Sequence, residues 1–159
     1  MHYLIDGHNL VPHIPGLHLG MIDDEERLLK LVQAYCSRGG HQADVYFDNA
    51  PPGQPPRQPL GRLVAHFVRQ GQIADEAIGK RLVQLGPRAR QCTVVSTDQR
   101  VMAAGRAAHA RVMRSEEFAR QLLAPPARAS EDAERAKLAP DADEVEEWLR
   151  IFQEYKPRK

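Results

Sequence analysis

Four carboxylates and one asparagine stand at points of this chain where oxygen ligands could serve chemistry. They are Asp6, Asn9, Asp75, Glu76 and Asp98, and most follow a short apolar run or open a helical pattern. Asp48, at the end of another apolar run, is a weaker candidate. Each residue also has a plain structural interpretation as a turn residue, an acid that favours a helix N-terminus or a helix cap.

Carboxylates gathered in one place repel one another unless a cation neutralises them. Oxygen-only ligands favour Mg²⁺ or Mn²⁺, and no His or Cys pair in the chain has the spacing of a zinc site. A hard divalent ion can activate water and neutralise charge that builds on phosphorus. If the acids converge, the pattern therefore predicts phosphodiester chemistry.

The net charge of +1 over 159 residues conceals an uneven distribution. Residues 57–114 carry 11 basic and 3 acidic side chains, a net charge of +8, whereas residues 1–56 and 115–159 carry −4 and −3. Ten of those 11 basic residues are arginines, whose forked guanidinium suits phosphate. The middle third therefore predicts binding to a polyanion such as nucleic acid, although solvated helix faces can look the same.

Strand and helix patterns alternate along the chain and would position these acids. Strands are predicted at 3–5, 43–47, 63–68, 92–96 and 110–113, with helices between them and after Ser115, and the proline-rich segment 50–59 is predicted to be an exposed loop. This alternation indicates an α/β fold with a mostly parallel sheet covered on both faces. Asp6, Asp48 and Asp98 are then expected at the carboxyl ends of strands, where such sheets bind ligands.

Length and composition indicate one globular domain. The content of 42% apolar and 27% charged residues excludes a disordered or collagenous chain, and no apolar run approaches the about 20 residues of a membrane span. Two cysteines, Cys36 and Cys92, and no signal-like N-terminus predict a cytoplasmic protein. We predict a domain over 1–124, a linker over 125–140, and an amphipathic helix with a basic tail over 141–159 that docks on this domain, on a partner or on a second copy.

Six segments carry a resemblance when they are taken together. They are LIDGHN at 4–9, VYFD at 45–48, ADE at 74–76, VVSTD at 94–98, QRV at 99–101 and RSEEF at 114–118. Their order resembles PIN-like nucleases of the NYN group, in particular the bacterial YacP-like branch. The resemblance implies a PIN-like three-layer α/β/α sandwich and a metal-dependent endoribonuclease that acts on single-stranded RNA, in messenger or ribosome-associated form.

The resemblance also implies roles for individual residues. Asp6, Asp75 and Asp98 would hold Mg²⁺ or Mn²⁺ directly or through water, and Asn9 and Glu76 would position water or the ion. Substrate contacts are expected from His8, Thr97, Arg62, Arg69, Arg81 and Arg100. The chain departs from the family at His8, where Tyr or Ser is usual, and after Asp98, where a further acid is missing. Asp48 is the candidate substitute for that acid.

Two other functions fit parts of the pattern. A non-catalytic RNA- or ribosome-binding module on the same fold is the main alternative, because the acid expected after Asp98 is missing. A response-regulator or phosphatase-like domain would phosphorylate an Asp after a strand. That interpretation is disfavoured, because Asp6-Gly7-His8 offers no second acid.

Overall fold

A computed structural model describes residues 1–19, 23–69, 73–124 and 146–151 of the chain. Its sheet consists of β1 (His2–Asp6), β2 (Gln42–Ala50), β3 (Arg57–Leu60), β4 (Leu63–Arg69), β5 (Cys92–Val95) and β6 (Arg111–Met113). The strand order is β3-β4-β2-β1-β5-β6, and every neighbouring pair is parallel except β3 with β4. The predicted mostly parallel sheet is confirmed.

Helices cover both faces of this sheet. They are α1 (Gly7–Leu10), α2 (Asp24–Gly39), α3 (Ala74–Leu85), α4 (Gln99–Ala107) and α5 (Ser115–Leu123), with 3-10 turns at Val11–His13 and Gly86–Gln91. Successive strand residues point to opposite faces, so Ile5 joins a core with α2 and α5, whereas Leu4 joins a separate core with α3 and α4. The three-layer α/β/α arrangement is therefore also confirmed.

The helix α2 shows how the sequence specifies one of these layers. Leu28, Leu29, Val32 and Cys36 recur at helical spacing and are buried against the sheet. The helix ends at Gly40, which has a left-handed φ of 67° and donates its N–H to the carbonyl of Cys36.

The proline-rich segment differs from its prediction. Arg57–Leu60 forms the edge strand β3, antiparallel to β4, so the prediction of a loop over 50–59 was wrong for its last residues. Pro59 is compatible with this strand because a strand at the edge of a sheet does not need every N–H for pairing.

The segment after β1 is a helical turn, α1, although Gly7 and Asn9 are residue types that are typical of a simple turn. A Cβ added at Gly7 would overlap the ring of Phe47, which is fully buried. Glycine therefore allows α1 to start directly on the sheet, and this close approach positions the next two side chains, His8 and Asn9.

The chain divides into two compact units, Met1–Leu123 and Ala124–Lys159. In the second unit residues 146–151 are helical, and Leu149 and Ile151 are exposed. The predicted linker over 125–140 and most of the predicted terminal helix and tail lie outside the described residues. In the part of the chain that is described, no helix has the length and apolar character needed to cross a membrane.

Candidate active site

The carboxyl ends of adjacent parallel strands meet at one edge of the sheet. Asp6 is the last residue of β1, Asp48 lies near the end of β2, and Asp98 follows β5. The helix α3 begins after β4 and brings Asp75 and Glu76, in its first turn, to the same edge. We refer to this end of the sheet as the carboxylate edge.

Asp6 is partly buried at the carboxylate edge, whereas Glu76 and Asp98 are exposed. Asp6 lies two residues after Leu4 in β1, so its side chain points to the same face, which α3 and α4 cover. Burial raises the pKa of Asp6 to about 6. The backbone N–H of Asn9 and the hydroxyl of Ser96, whose Oγ lies 3.4 Å from Asp6 Oδ2, oppose this rise in pKa, whereas the charge of Asp48 adds to it.

His8 is held between two carboxylates. Its Nε2 lies 2.8 Å from Glu25 Oε1, and its Nδ1 lies 2.5 Å from Asp48 Oδ1. The hydrogen bond to Glu25 raises the pKa of His8, burial opposes the rise, and Asp48 reinforces it. A protonated ring can donate to both acids, so His8 offsets negative charge at the carboxylate edge. The expected substrate contact of His8 would have to compete with these two hydrogen bonds.

The side chain of Asn9 joins three elements of the fold. Its Oδ1 accepts hydrogen bonds from Thr97 N at 2.8 Å, Thr97 Oγ1 at 2.8 Å and Ser115 Oγ at 2.6 Å. The oxygen of Asn9 and the hydroxyl of Thr97 are therefore engaged within the protein. In this arrangement Asn9 connects the end of β1 to the end of β5 and the start of α5.

Asp98 caps α4. Its Oδ1 accepts hydrogen bonds from Arg100 N at 2.8 Å and Val101 N at 3.3 Å. Its own backbone N–H donates to Ser96 Oγ at 3.0 Å, and the same hydroxyl donates to Asp6. Two hydrogen bonds through the buried Ser96 thus connect Asp6 to the backbone of Asp98.

Asp75 and Glu76 lie in the first turn of α3, where the helix dipole interacts favourably with negatively charged side chains. Asp75 Oδ1 accepts from Glu76 N at 2.7 Å. Glu76 is exposed and lines a cavity with Arg69 and Lys80. This cavity lies between β4 and α3 and adds basic side chains beside the carboxylate edge.

The four candidate arginines fall into two groups. Arg69 ends β4 and Arg100 lies in the first turn of α4, so both belong to the carboxylate edge. Arg62 precedes β4, and Arg81 lies toward the end of α3; together they line a cavity at the opposite edge of the sheet. At about 3.3 Å per residue, β1 separates the two edges by about 13 Å. The structure does not bring Arg62 and Arg81 to Asp6.

Three residues of the site were not among those predicted from the sequence. Glu25 stood in an acidic run that is typical of a helix start, and Ser96 and Ser115 lay within the VVSTD and RSEEF segments without a predicted role at the site. Both serines are fully buried, and each bonds a side chain that was predicted. Only their long-range contacts reveal their roles.

The acids of the carboxylate edge suit a hard cation in their chemistry, since their ligand atoms are carboxylate oxygens. Among the described residues no three His, Cys, Asp or Glu side chains are grouped to hold a metal ion. Asp6 and Asp48 nevertheless provide two neighbouring carboxylates, and Mg²⁺ is commonly held by one or two carboxylates together with waters and substrate phosphate. The residues present therefore fit a magnesium-type ion that retains part of its water shell.

The fold and the carboxylate edge together define a PIN-like α/β protein. The chain belongs to the family of the YacP-like NYN domain, whose sequence model matches residues 3–152, and this family is of the nuclease type. The resemblance seen in the sequence is thereby confirmed.

Two solved structures share the fold. The crystal structure of Rae1 (YacP) from Bacillus subtilis aligns with a TM-score of 0.65 at 22% identity, over 99% of this chain and 84% of that chain. Its W164L mutant gives a TM-score of 0.62 at 20% identity, over 99% and 86%. No curated protein matches the chain.

Proposed function

We propose that this chain is a divalent-metal-dependent endoribonuclease that hydrolyses phosphodiester bonds in single-stranded RNA. The observation that carries the proposal is the partly buried Asp6 carboxylate beside Asp48, at the sheet edge where α3 and α4 also begin with acids. Membership in a family of the nuclease type supports the same reaction class.

The proposed ion is Mg²⁺ or Mn²⁺, with Asp6 as its main ligand and Asp75 and Asp98 as direct or water-mediated ligands. When bound, such an ion supplies an activated water and neutralises charge on the phosphate. Asp48 is the neighbouring carboxylate that would take the place of the missing late acid.

The chain's own residues prepare this site. Asp6 is mainly ionised above pH 6, since its pKa is about 6, and Ser96 holds its carboxylate with a hydrogen bond. His8 offsets the charge of Asp48 and Glu25, which reduces the repulsion that an RNA backbone would meet. Glu76, exposed in the first turn of α3, is the proposed residue for positioning water.

RNA is the proposed substrate because basic side chains accompany the acids. Arg69 and Arg100 are exposed at the carboxylate edge, and Lys80 lines the cavity next to Glu76. Arginine forks pair with phosphate oxygens in two parallel hydrogen bonds. Arg69 and Arg100 are therefore the residues we propose to hold the backbone on either side of the cleaved bond. Association with ribosome-bound RNA and a cytoplasmic location belong to the same proposal.

Metal removal provides the direct test. Purified protein with a fluorescent single-stranded RNA should show cleavage in Mg²⁺ or Mn²⁺, a fall of about 100-fold or more in EDTA, and recovery on adding excess metal. The DNA oligonucleotide of the same sequence and the annealed RNA duplex serve as controls and should be cut more slowly. Undiminished RNA cleavage in EDTA would exclude the metal-dependent reaction.

Two substitutions at Asp98 separate its capping role from its proposed metal role. Asn is also a good N-cap, so Asp98→Asn should leave the melting temperature nearly unchanged, whereas Asp98→Ala should cost about 1 kcal/mol of stability. If the carboxylate serves the metal, both variants lose RNA cleavage by about 10-fold or more. Full activity in Asp98→Asn would restrict Asp98 to capping.

One observation favours the alternative of a non-catalytic RNA- or ribosome-binding module. The carboxylates of Asp48 and Asp98 already accept hydrogen bonds within the protein, and the described residues contain no group of three metal ligands. This alternative predicts RNA binding that EDTA does not change, with no cleavage by highly purified protein in Mn²⁺.

A further inference from the structure

A basic cavity of about 480 Å³ lies at the amino ends of the parallel strands, opposite the carboxylate edge. Its walls include the starts of three strands, the end of α3 and the turn that follows it. The lining residues that matter here are His2, Gln42, Arg62, Arg81, Arg88 and Cys92. We call this space the arginine cavity.

Among the residues that the structure describes, no carboxylate lines the arginine cavity to balance its charge. Arg62, Arg81 and Arg88 all line it, and none of its described lining residues is Asp or Glu. Within the described ranges, these three arginines form no ion pair with an acidic side chain. Three guanidinium groups thus face one space with no anionic partner among the residues described.

The acid next to this cavity is already paired. Asp44, buried in β2, lies 2.5 Å from His2 Nε2 and 2.6 Å from His66 Nε2. Burial acts to raise the pKa of Asp44, but the hydrogen bonds from His2 and His66 outweigh it and hold that pKa well below its usual range. The carboxylate of Asp44 therefore already has two hydrogen-bond partners, His2 and His66.

Arg81 supplies a second, independent observation. Its Nε is buried and has no hydrogen-bond partner among the described residues. A buried donor left without a partner costs about 1–3 kcal/mol, so proteins rarely retain one unless a ligand or water completes it. Burial raises the pKa of Tyr46 and of Cys92, and the nearby guanidinium of Arg81 opposes that rise at both groups.

We propose that the arginine cavity is a phosphate-binding site, distinct from the carboxylate edge. Guanidinium groups match phosphate oxygens in fork geometry, and a phosphate would offset part of the charge of the three arginines and pair Arg81 Nε. Because RNA is the proposed substrate of this protein, we assign the phosphate to RNA, either as an internal phosphodiester or as a terminal monoester. This site does not depend on the proposed nuclease reaction.

The test measures binding and not cleavage. Inorganic phosphate is titrated into the full chain in EDTA by calorimetry, at constant ionic strength. The variant R62A/R88A removes two exposed arginines that line the cavity, and the control R90A/R106A removes two exposed arginines that do not. We expect phosphate affinity to fall about 10-fold or more in R62A/R88A and to stay unchanged in the control.

Arg81→Lys provides a second variant, since it keeps the charge but removes Nε. We expect it to weaken phosphate binding by about 3-fold or more, with an unchanged circular dichroism spectrum that shows the fold is retained. Equal phosphate affinity in the wild type, R62A/R88A and R81K, or no binding to any of them, would overturn the proposal. So would an equal loss in R90A/R106A, since that would mean a general effect of charge.

Two RNA oligonucleotides of one sequence identify the source of the phosphate, measured by fluorescence anisotropy in EDTA. If R62A/R88A weakens binding of the 5′-phosphorylated and 5′-hydroxyl forms equally, the site takes a backbone diester, and the slope of log affinity against log salt falls by about 1. If only the 5′-phosphorylated form loses affinity, the site takes a terminal monoester. Because EDTA is present throughout, failure of the nuclease proposal would leave these results unaffected.

Discussion

Asp6→Asn is expected to abolish RNA cleavage and, at the same time, to stabilise the fold. Loss of the carboxylate should lower the cleavage rate about 1,000-fold, which corresponds to about 4 kcal/mol of transition-state stabilisation. The stability gain arises because burial raises the pKa of Asp6 from 3.8 to about 6, so the ionised form is less favourable in the folded state. One pKa unit corresponds to about 1.4 kcal/mol, and partial exposure reduces the expected gain to about 1–2 kcal/mol at pH 7.5.

The pH dependence of this gain follows from the sign of the pKa shift. At pH 4 Asp6 is protonated in the folded state, and the variant should have little advantage. The advantage should grow between pH 4 and pH 6, where the unfolded chain ionises before the folded one, and stay constant above. Urea unfolding from pH 4 to pH 8 measures it, with the exposed Asp23→Asn as control. A variant that still cuts RNA, or that is less stable than wild type at pH 7.5, would contradict these expectations.

Asn9→Ala is expected to lower the free energy of unfolding by about 3 kcal/mol. Three hydrogen bonds converge on Asn9 Oδ1, and each contributes about 1 kcal/mol. The fully buried Ser115 hydroxyl would lose its partner. For a domain of this size the melting temperature should fall by about 10 °C.

Ser115→Ala is the matched variant for Asn9. It removes one of the three donors and leaves Asn9 with two, so we expect a cost of about 1 kcal/mol. None of these groups titrates between pH 5 and pH 8, and the loss in both variants should be the same across that range. An Asn9→Ala variant no less stable than Ser115→Ala would contradict the role of Asn9 as a junction of three elements.

Most of the fold could be predicted from the sequence because its elements are locally determined. The run from Leu28 to Cys36 has one apolar stripe that ends at glycine, and β5 is a run of β-formers between charged turns. The helical turn after β1 could not be predicted locally. It depends on the ring of Phe47 lying against Gly7, a contact between residues 40 positions apart.

The candidate site, too, could be predicted from the sequence only where local patterns determine it. Asp6 and Asp98 follow strands, so the rule that parallel strands present their carboxyl ends together predicted their common edge. The partners that hold them could not be predicted, because Glu25 meets His8 and Ser115 meets Asn9 only after the chain has folded. The excess of basic residues over 57–114 was a property of the sequence order alone. The fold distributes its arginines between the two opposite ends of the parallel strands.

The edge strand β3 affects whether two copies of this chain can associate through their sheets. An unprotected strand at the side of a sheet can template pairing with a neighbouring chain and start aggregation. Pro59 has no N–H to offer such a neighbour, and the exposed Arg57 would bring its charge into the new contact. The prolines that obscured this strand in the sequence thus discourage the sheet from extending into a second molecule.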